Sequence, residues 1–279
     1  MTSSCYHDGN FAVSIVITFR DTGPYIFEAI ESALNQTHYH LELLLVDDNP
    51  TGREQLEFLE RRLGDPRIRL LKNPIPGRVR ALNFGIRQAR HGIIAILDDD
   101  DVWHRSKLEF DVKAIKKGAD FVCWRHRLFT ERPDLETSTT APRLEEIPRW
   151  RMLMRNQLTH STVTAKRTLM RYDERLETSE DYDLFLRLQH DQVRLQQYNK
   201  EWVAIRVRNT SHFTSKGWPF YWKSAALQIK HILRSPHWWL LPVPIVRFAY
   251  TPFRQKLRLR RAARTAPPRD QAAIASVEV

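Results

Sequence analysis

Residues 93–103 read Ile93-Ile94-Ala95-Ile96-Leu97-Asp98-Asp99-Asp100-Asp101-Val102-Trp103, an apolar run of five that stops on four consecutive acids. A run this short, rich in β-branched residues, reads as a buried strand rather than a helix. Upstream the same pattern repeats: Val13–Ile17 (VSIVI), Leu41–Val46 (LELLLV) and the shorter Ile68–Leu71 are strand-like. Between them lie stretches with helical spacing. Pro24–Asn35 places apolar residues at 26, 27, 30, 33 and 34; Arg53–Leu63 repeats the pattern; Val79–Ala89 is opened by Pro76-Gly77. A helix over Arg105–Lys116 and a strand at Phe121–Trp124 continue the alternation. Near-continuous apolar strands separated by helices predict an α/β protein, its parallel sheet covered on both faces.

In such sheets ligands bind beyond the carboxyl ends of the strands. Chemistry is therefore expected at Thr18-Phe19-Arg20-Asp21, Asp47-Asp48-Asn49 and Asp98–Asp101. Four carboxylates within one turn repel one another, and a divalent cation relieves that repulsion. Oxygen ligands suit Mg²⁺ or Mn²⁺, which share their shell with phosphates. The placement at a strand's carboxyl end favours a metal–phosphate site over a solvated acidic turn.

Beyond this half, residues 130–148 are polar and proline-bearing and read as a loop. A short helix (Arg149–Met154), a strand-like Ser161–Ala165, a helix over Ser179–Gln189 and a strand-like Trp202–Val207 follow. Thr178 or Ser179 is a candidate cap for the third of these, with Glu180, Asp181 and Asp183 in its first turn, where the helix dipole favours acids. There is no internal repeat and no Cys/His cluster of zinc spacing.

The chain's 279 residues carry a net charge of +11, and the charge is unevenly spread. Residues 216–279 hold twelve Lys/Arg against Asp270 and Glu278, so the preceding 215 are nearly neutral. This is a neutral domain with a basic tail, which argues against a nucleic-acid partner for the domain. Cys5 and Cys123 are too few for a disulfide-built secreted scaffold. The opening MTSSCYHDGN lacks a signal-peptide pattern, and the longest apolar run, Trp238–Val246, is broken by Pro242 and Pro244. A cytoplasmic location is expected, with peripheral contact to the cytoplasmic face of the membrane left open.

Several ordered motifs resemble the inverting glycosyltransferases of family 2, which have the GT-A fold, a Rossmann-like arrangement. They are VSIVITFRD, AIESALNQTHYHLELLLVDDNPTG, GRVRALNFGIRQARHGIIAILDDDDVWHRSKLE and, later, SEDYDLFLRL. The resemblance spans residues 12 to about 214. It implies a nucleotide-diphosphate sugar donor and a glycan or lipid-linked acceptor. By resemblance, Thr18 and Arg20 line the nucleotide pocket, Asp48 bonds the base, and Arg78 and Arg80 face the donor. Asp98 and Asp99 reach the ribose or the metal shell, and Asp100 binds Mn²⁺ or Mg²⁺. His212, near where the family carries a histidine, is a further candidate metal ligand. Asp181 matches the base that takes the acceptor's proton, with Glu180 beside it, and His160 falls in the acceptor region. The domains expected are an N-terminal extension (1–10), a GT-A domain (11–215), a basic amphipathic helical extension (216–265) and a disordered end (266–279).

In the extension, Trp222, Ala225, Ala226, Ile229, Ile232 and Leu233 are expected on one helical face. His237-Trp238-Trp239 and the basic residues from Arg254 to Arg264 follow. Basic, Trp-bearing amphipathic segments suit an anionic bilayer surface; packing of the apolar face on the domain is the alternative. Two other functions compete with glycosyl transfer. Asp98-x-Asp100-x-Val102 after an apolar strand also fits the nucleophile box of haloacid-dehalogenase phosphohydrolases, and the net charge fits a non-enzymatic nucleic-acid-binding protein.

Overall fold

A computed structural model describes residues 11–51, 54–130, 135, 140–207 and 218–246. The chain divides into two units, one up to Ser215 and one from Lys216.

In the first unit, β1 (Val13–Phe19), β2 (Leu41–Asp47) and β4 (Ile93–Ile96) are buried along their whole length. Strands covered on both faces need such runs. With β3 (Ile68–Lys72) they form a parallel sheet in the order β3-β2-β1-β4. Alternate residues Val13, Ile15, Ile17, Leu41, Leu43 and Leu45 belong to a core shared with α1 (Ile26–Leu34), α2 (Glu54–Glu60) and α4 (Lys107–Lys116). The opposite face meets α3 (Arg78–Gln88), so helices do cover both sides. The expected α/β fold is what the chain adopts, and every strand and helix expected from Val13 to Lys116 is present with ends shifted by a few residues.

Past β4 the sheet continues through β8 (Thr164–Lys166), β6 (Phe121–Phe129), β9 (Leu195–Arg206) and β5 (Val102–Trp103). The long β6–β9 ladder is parallel, and the antiparallel ones cover only two or three residue pairs. Several elements here differ from expectation. The segment read as a loop contains β7 (Leu144–Glu146), which borrows order from Gln196–Tyr198 of β9. The expected strand at Ser161–Ala165 is a 3₁₀ turn, His160–Thr162, followed by β8. Two-residue β5 exists because β9 lies alongside it. The strand expected from Trp202 starts at Leu195, and its polar Gln196, Gln197 and Asn199 are half-buried. Ser179 does not cap α6 (Glu180–His190): it is left-handed, φ 58°, and makes no capping bond.

Two details explain motif residues in α3. Asn83 clamps the backbone of Tyr172, donating to its carbonyl at 3.0 Å and accepting from its N–H at 3.0 Å. Gly85 lies against the sheet, where an added Cβ would stand 2.8 Å from Val16 Cγ1 and 2.9 Å from Val46 Cγ2.

Under the site, Lys107 is fully buried. Its ammonium donates to Asp111 and Thr164, both at 2.8 Å, and lies 4.1 Å from the Trp103 ring centroid. Asp111 also accepts from Trp124 Nε1 at 2.7 Å. Trp124 stacks between Tyr198 and Trp202. A buried ion pair is tolerable only with every group paired in this way.

In the second unit, α7 (Trp218–Leu233) is the helix expected in the extension. Its buried residues differ from the expected face: Ala225, Leu227, Gln228, His231 and Ile232 are buried. Trp222 and Leu233 are exposed, because burial follows a face of mixed polarity rather than the apolar stripe. Residues 1–10, and 247–279 with the expected disordered end, lie outside the described residues.

Gly85→Ala tests the close approach of α3. Alanine gains about 1 kcal/mol in helix propensity, but overpacking two rigid Val methyls costs about 1–3 kcal/mol. A melting temperature lower than wild type is expected by calorimetry, and an unchanged or raised one would contradict the packing.

Candidate active site

The acids after β4 meet α3, the 160–162 turn and α6 at the carboxyl end of the sheet. At the same end β1 and β4 lie side by side, where the chain turns from one half of the sheet to the other. Arg78, the first residue of α3, ties the group together. Its Nη2 donates to Asp98 Oδ1 at 2.7 Å, and its Nε to Glu180 Oε1 at 3.1 Å. His160 Nδ1 lies 3.4 Å from the same Asp98 oxygen and 3.3 Å from Arg78 Nη2. The far nitrogen of His160 is 2.7 Å from the buried Tyr172 hydroxyl.

Burial alone would raise Asp98, but Arg78 and His160 outweigh it and hold the carboxyl far below the usual range. The carboxylates of Asp98, first, and Glu180 in turn raise Arg78 against its desolvation.

Asp101 has the opposite environment. It is buried, accepts from Ser161 Oγ at 2.5 Å and from Arg206 N at 3.0 Å, and is pushed well above the usual range by burial and then by Asp98 and Asp100. Ser161 serves both ends of the acidic turn, since its Oγ also accepts from Asp98 N at 3.1 Å. Arg206 braces the turn from β9. Its Nε donates to Asp100 O at 3.1 Å and its Nη2 to Glu28 Oε2 at 2.6 Å, while the guanidinium lies over the rings of Tyr25 and Phe129. Asp99 and Asp100 themselves are half-buried.

Asp181, in the first turn of α6, is raised by desolvation first and by neighbouring Glu180 second. Its Oδ2 accepts from Asn156 Nδ2 at 3.1 Å and its Oδ1 from Tyr182 N at 2.7 Å. A carboxylate oriented by these donors and made more basic by desolvation is suited to accepting a proton.

On the β1–β2 side, Asp48 Oδ1 accepts from Asn73 Nδ2 at 2.8 Å and from Gly77 N at 2.7 Å, which fixes the 73–77 loop beside it. Its neighbour Asp47 is buried against Lys72 at 2.9 Å. Thr18 is buried at the end of β1, and Arg20 is exposed. Arg80 points elsewhere, bonding Pro76 O at 3.1 Å.

Of the residues singled out in the sequence, the fold gathers Arg78, Asp98, Glu180 and His160 into one bonded cluster. Asp99 and Asp100 lie on the same turn, and Asp181 follows Glu180. It does not bring Arg80 there, and His212 lies outside the described residues. Sequence reasoning missed Ser161, Tyr172, Arg206, Asn156 and Asn73. Only Ser161, directly after His160, carried a positional signal.

No three His, Cys, Asp or Glu side chains among the described residues converge into a set that could hold a metal unaided. Half-buried carboxylates at a strand end do fit a cation that completes its shell with ligand phosphates.

The mostly parallel sheet with flanking helices and acids at the carboxyl end of β4 is the arrangement expected of the GT-A fold. The model of glycosyl transferase family 2 matches residues 14–173, and the chain belongs to that family. This decides against the phosphohydrolase chemistry that Asp98 and Asp100 also suggested. A putative colanic acid biosynthesis glycosyl transferase, WcaA of Escherichia coli, is 27% identical over 212 residues, 73% of either chain. An uncharacterised glycosyltransferase of Rickettsia bellii is 27% identical over 187 residues, 63% of this chain, which spans 27% of that protein's length. TarS residues 1–349 of S. aureus, in a crystal structure with UDP-GlcNAc, superposes with a TM-score of 0.67 at 16% identity. The match covers 95% of this chain and 79% of that one. Among the described residues, no helix is long and apolar enough to cross a membrane.

Proposed function

We propose that this glycosyltransferase inverts the anomeric centre, moving a sugar from a nucleotide-diphosphate donor to a hydroxyl of a glycan or lipid-linked acceptor, with Asp181 as the base. The observation that carries the reading is the Arg78 clasp. It joins the acid turn, where a donor diphosphate would lie, to Glu180, the residue preceding Asp181. A donor held at the strand ends and a base one residue away suit displacement from the face opposite the leaving group.

Thr18, Arg20 and Asp48 would surround the nucleotide, which the donor-bound TarS fold relative supports. Asp100, with Asp98 and Asp99, would hold a Mn²⁺ or Mg²⁺ shared with the diphosphate, and His212 is a further candidate ligand. Such a cation, when bound, neutralises charge on the departing diphosphate. Asn156 aims Asp181 Oδ2, and desolvation keeps that carboxylate basic. His160, buried against Asp98 and Tyr172, supports the donor side of the site more directly than an acceptor. The name of WcaA supports polysaccharide biosynthesis as the setting.

The extension, residues 216–264, would hold the enzyme on an anionic membrane surface from the cytoplasmic side. Trp238 and Trp239 are 69% and 55% exposed, and Ile245 and Val246 are equally open, amid Lys223, Lys230 and Arg234. Aromatic and aliphatic side chains among basic residues match an interfacial segment.

Asp181→Asn should lower kcat by about 10²- to 10⁴-fold while titration calorimetry shows donor nucleotide bound as in wild type. Lost nucleotide binding would instead make Asp181 part of the donor site. Rate should fall as pH drops through the raised pKa of Asp181, because the base must be unprotonated. Glu180→Gln removes a charge that raises Asp181, so the acid limb of the kcat–pH profile should move to lower pH; a limb that stays in place would remove Asp181 as its source. Replacing Trp238 and Trp239 with Ser should weaken sedimentation with phosphatidylglycerol vesicles about tenfold or more, since each buried apolar side chain is worth about 1.5–3 kcal/mol. Unchanged sedimentation would move the contact elsewhere.

A further inference from the structure

Arg78 stands where a cation would be expected to act. Its guanidinium is shared between Asp98 at 2.7 Å and Glu180 at 3.1 Å, two carboxylates separated by more than eighty residues of chain. Asp98 is thereby paired without a metal, and the repulsion between the acid turn and the start of α6 is already relieved. The Arg78 side chain is nonetheless 45% exposed.

We propose that Arg78 is a resident counter-charge that makes cation entry depend on the donor's diphosphate. The inference rests on the donor-site reading above and concerns its regulation. A divalent cation arriving alone meets an Asp98 already paired with a guanidinium, whose fixed positive charge repels it. A diphosphate changes the balance. Its oxygens accept from the guanidinium through paired N–H groups, the geometry in which arginine binds phosphate best. Arg78 would then exchange a carboxylate for the phosphate, leaving Asp98, with Asp99 and Asp100, able to hold the cation.

The exchange also reaches the base. Arg78 holds Glu180, so a guanidinium drawn toward the diphosphate loosens the residue that precedes Asp181.

The full-length protein tests this by titration calorimetry, with Mn²⁺ alone and with inorganic pyrophosphate or UDP in the presence of Mn²⁺. Arg78→Gln should bind Mn²⁺ alone about tenfold or more tightly than wild type, as expected for removing a unit charge close to a divalent ion. The same variant should bind pyrophosphate and UDP about 10- to 100-fold more weakly, the loss of hydrogen bonds from a charged donor. These opposite signs separate the proposal from a structural role, which would weaken both. Arg78→Lys keeps the charge and should leave Mn²⁺ binding within about threefold of wild type. Equal Mn²⁺ affinity in wild type and Arg78→Gln, with thermal melts confirming a folded variant, would overturn the proposal. If wild type binds neither pyrophosphate nor UDP with Mn²⁺, the donor-site reading itself fails and this inference falls with it.

Discussion

Four adjacent carboxylates at the end of a buried strand repel one another, and much of the fold around β4 is arranged to relieve that repulsion. The acids are not equivalent. Asp98 is kept ionised by Arg78 and His160, whereas Asp101 is buried and driven toward its neutral form while accepting from Ser161 and the Arg206 amide. Each partner comes from a different element: Arg78 opens α3, His160 and Ser161 form the turn before β8, and Arg206 ends β9. These elements each contribute a donor or a positive charge at the strand end, while α6 brings a further carboxylate, Glu180, to Arg78.

A second polar knot lies beneath this one. Lys107, Asp111, Thr164 and Trp124 form a closed buried network, with the Lys107 ammonium over Trp103. Trp103 in turn donates to Ser161 O at 2.7 Å, so the lower knot supports the turn that satisfies the upper one. Buried charges cost several kcal/mol unless every partner is in place. That cost fixes α4, β6 and β8 relative to β4, and with them the geometry of the acid turn.

The alternation of apolar runs and helical spacing from Val13 to Lys116 was legible because both faces of those strands are covered and each run is continuous. Past Phe121 the signal weakens. β7 and β5 are too short to carry a period, and β9 carries half-buried polar residues that break its alternation, so neighbouring strands decide their existence. The candidate site divides in the same way. Asp98, Asp100, Asp181 and Arg78 stand in recognisable motifs. Ser161, Asn156, Tyr172 and Arg206 act only through partners distant in the chain.

The sequence by itself determined the α/β class, the family and the placing of the acid run at a strand end, because period, run length and local motifs are properties of neighbouring residues. The tertiary structure decided which charges meet. Nothing in the spacing of residues 78, 98, 160 and 180 says that one guanidinium spans two carboxylates beside a buried histidine. Nor does the run Asp98–Asp101 say which acid stays ionised and which is driven neutral. Those differences arise from burial and from partners brought by other elements, and both come into being only when the sheet closes around β4.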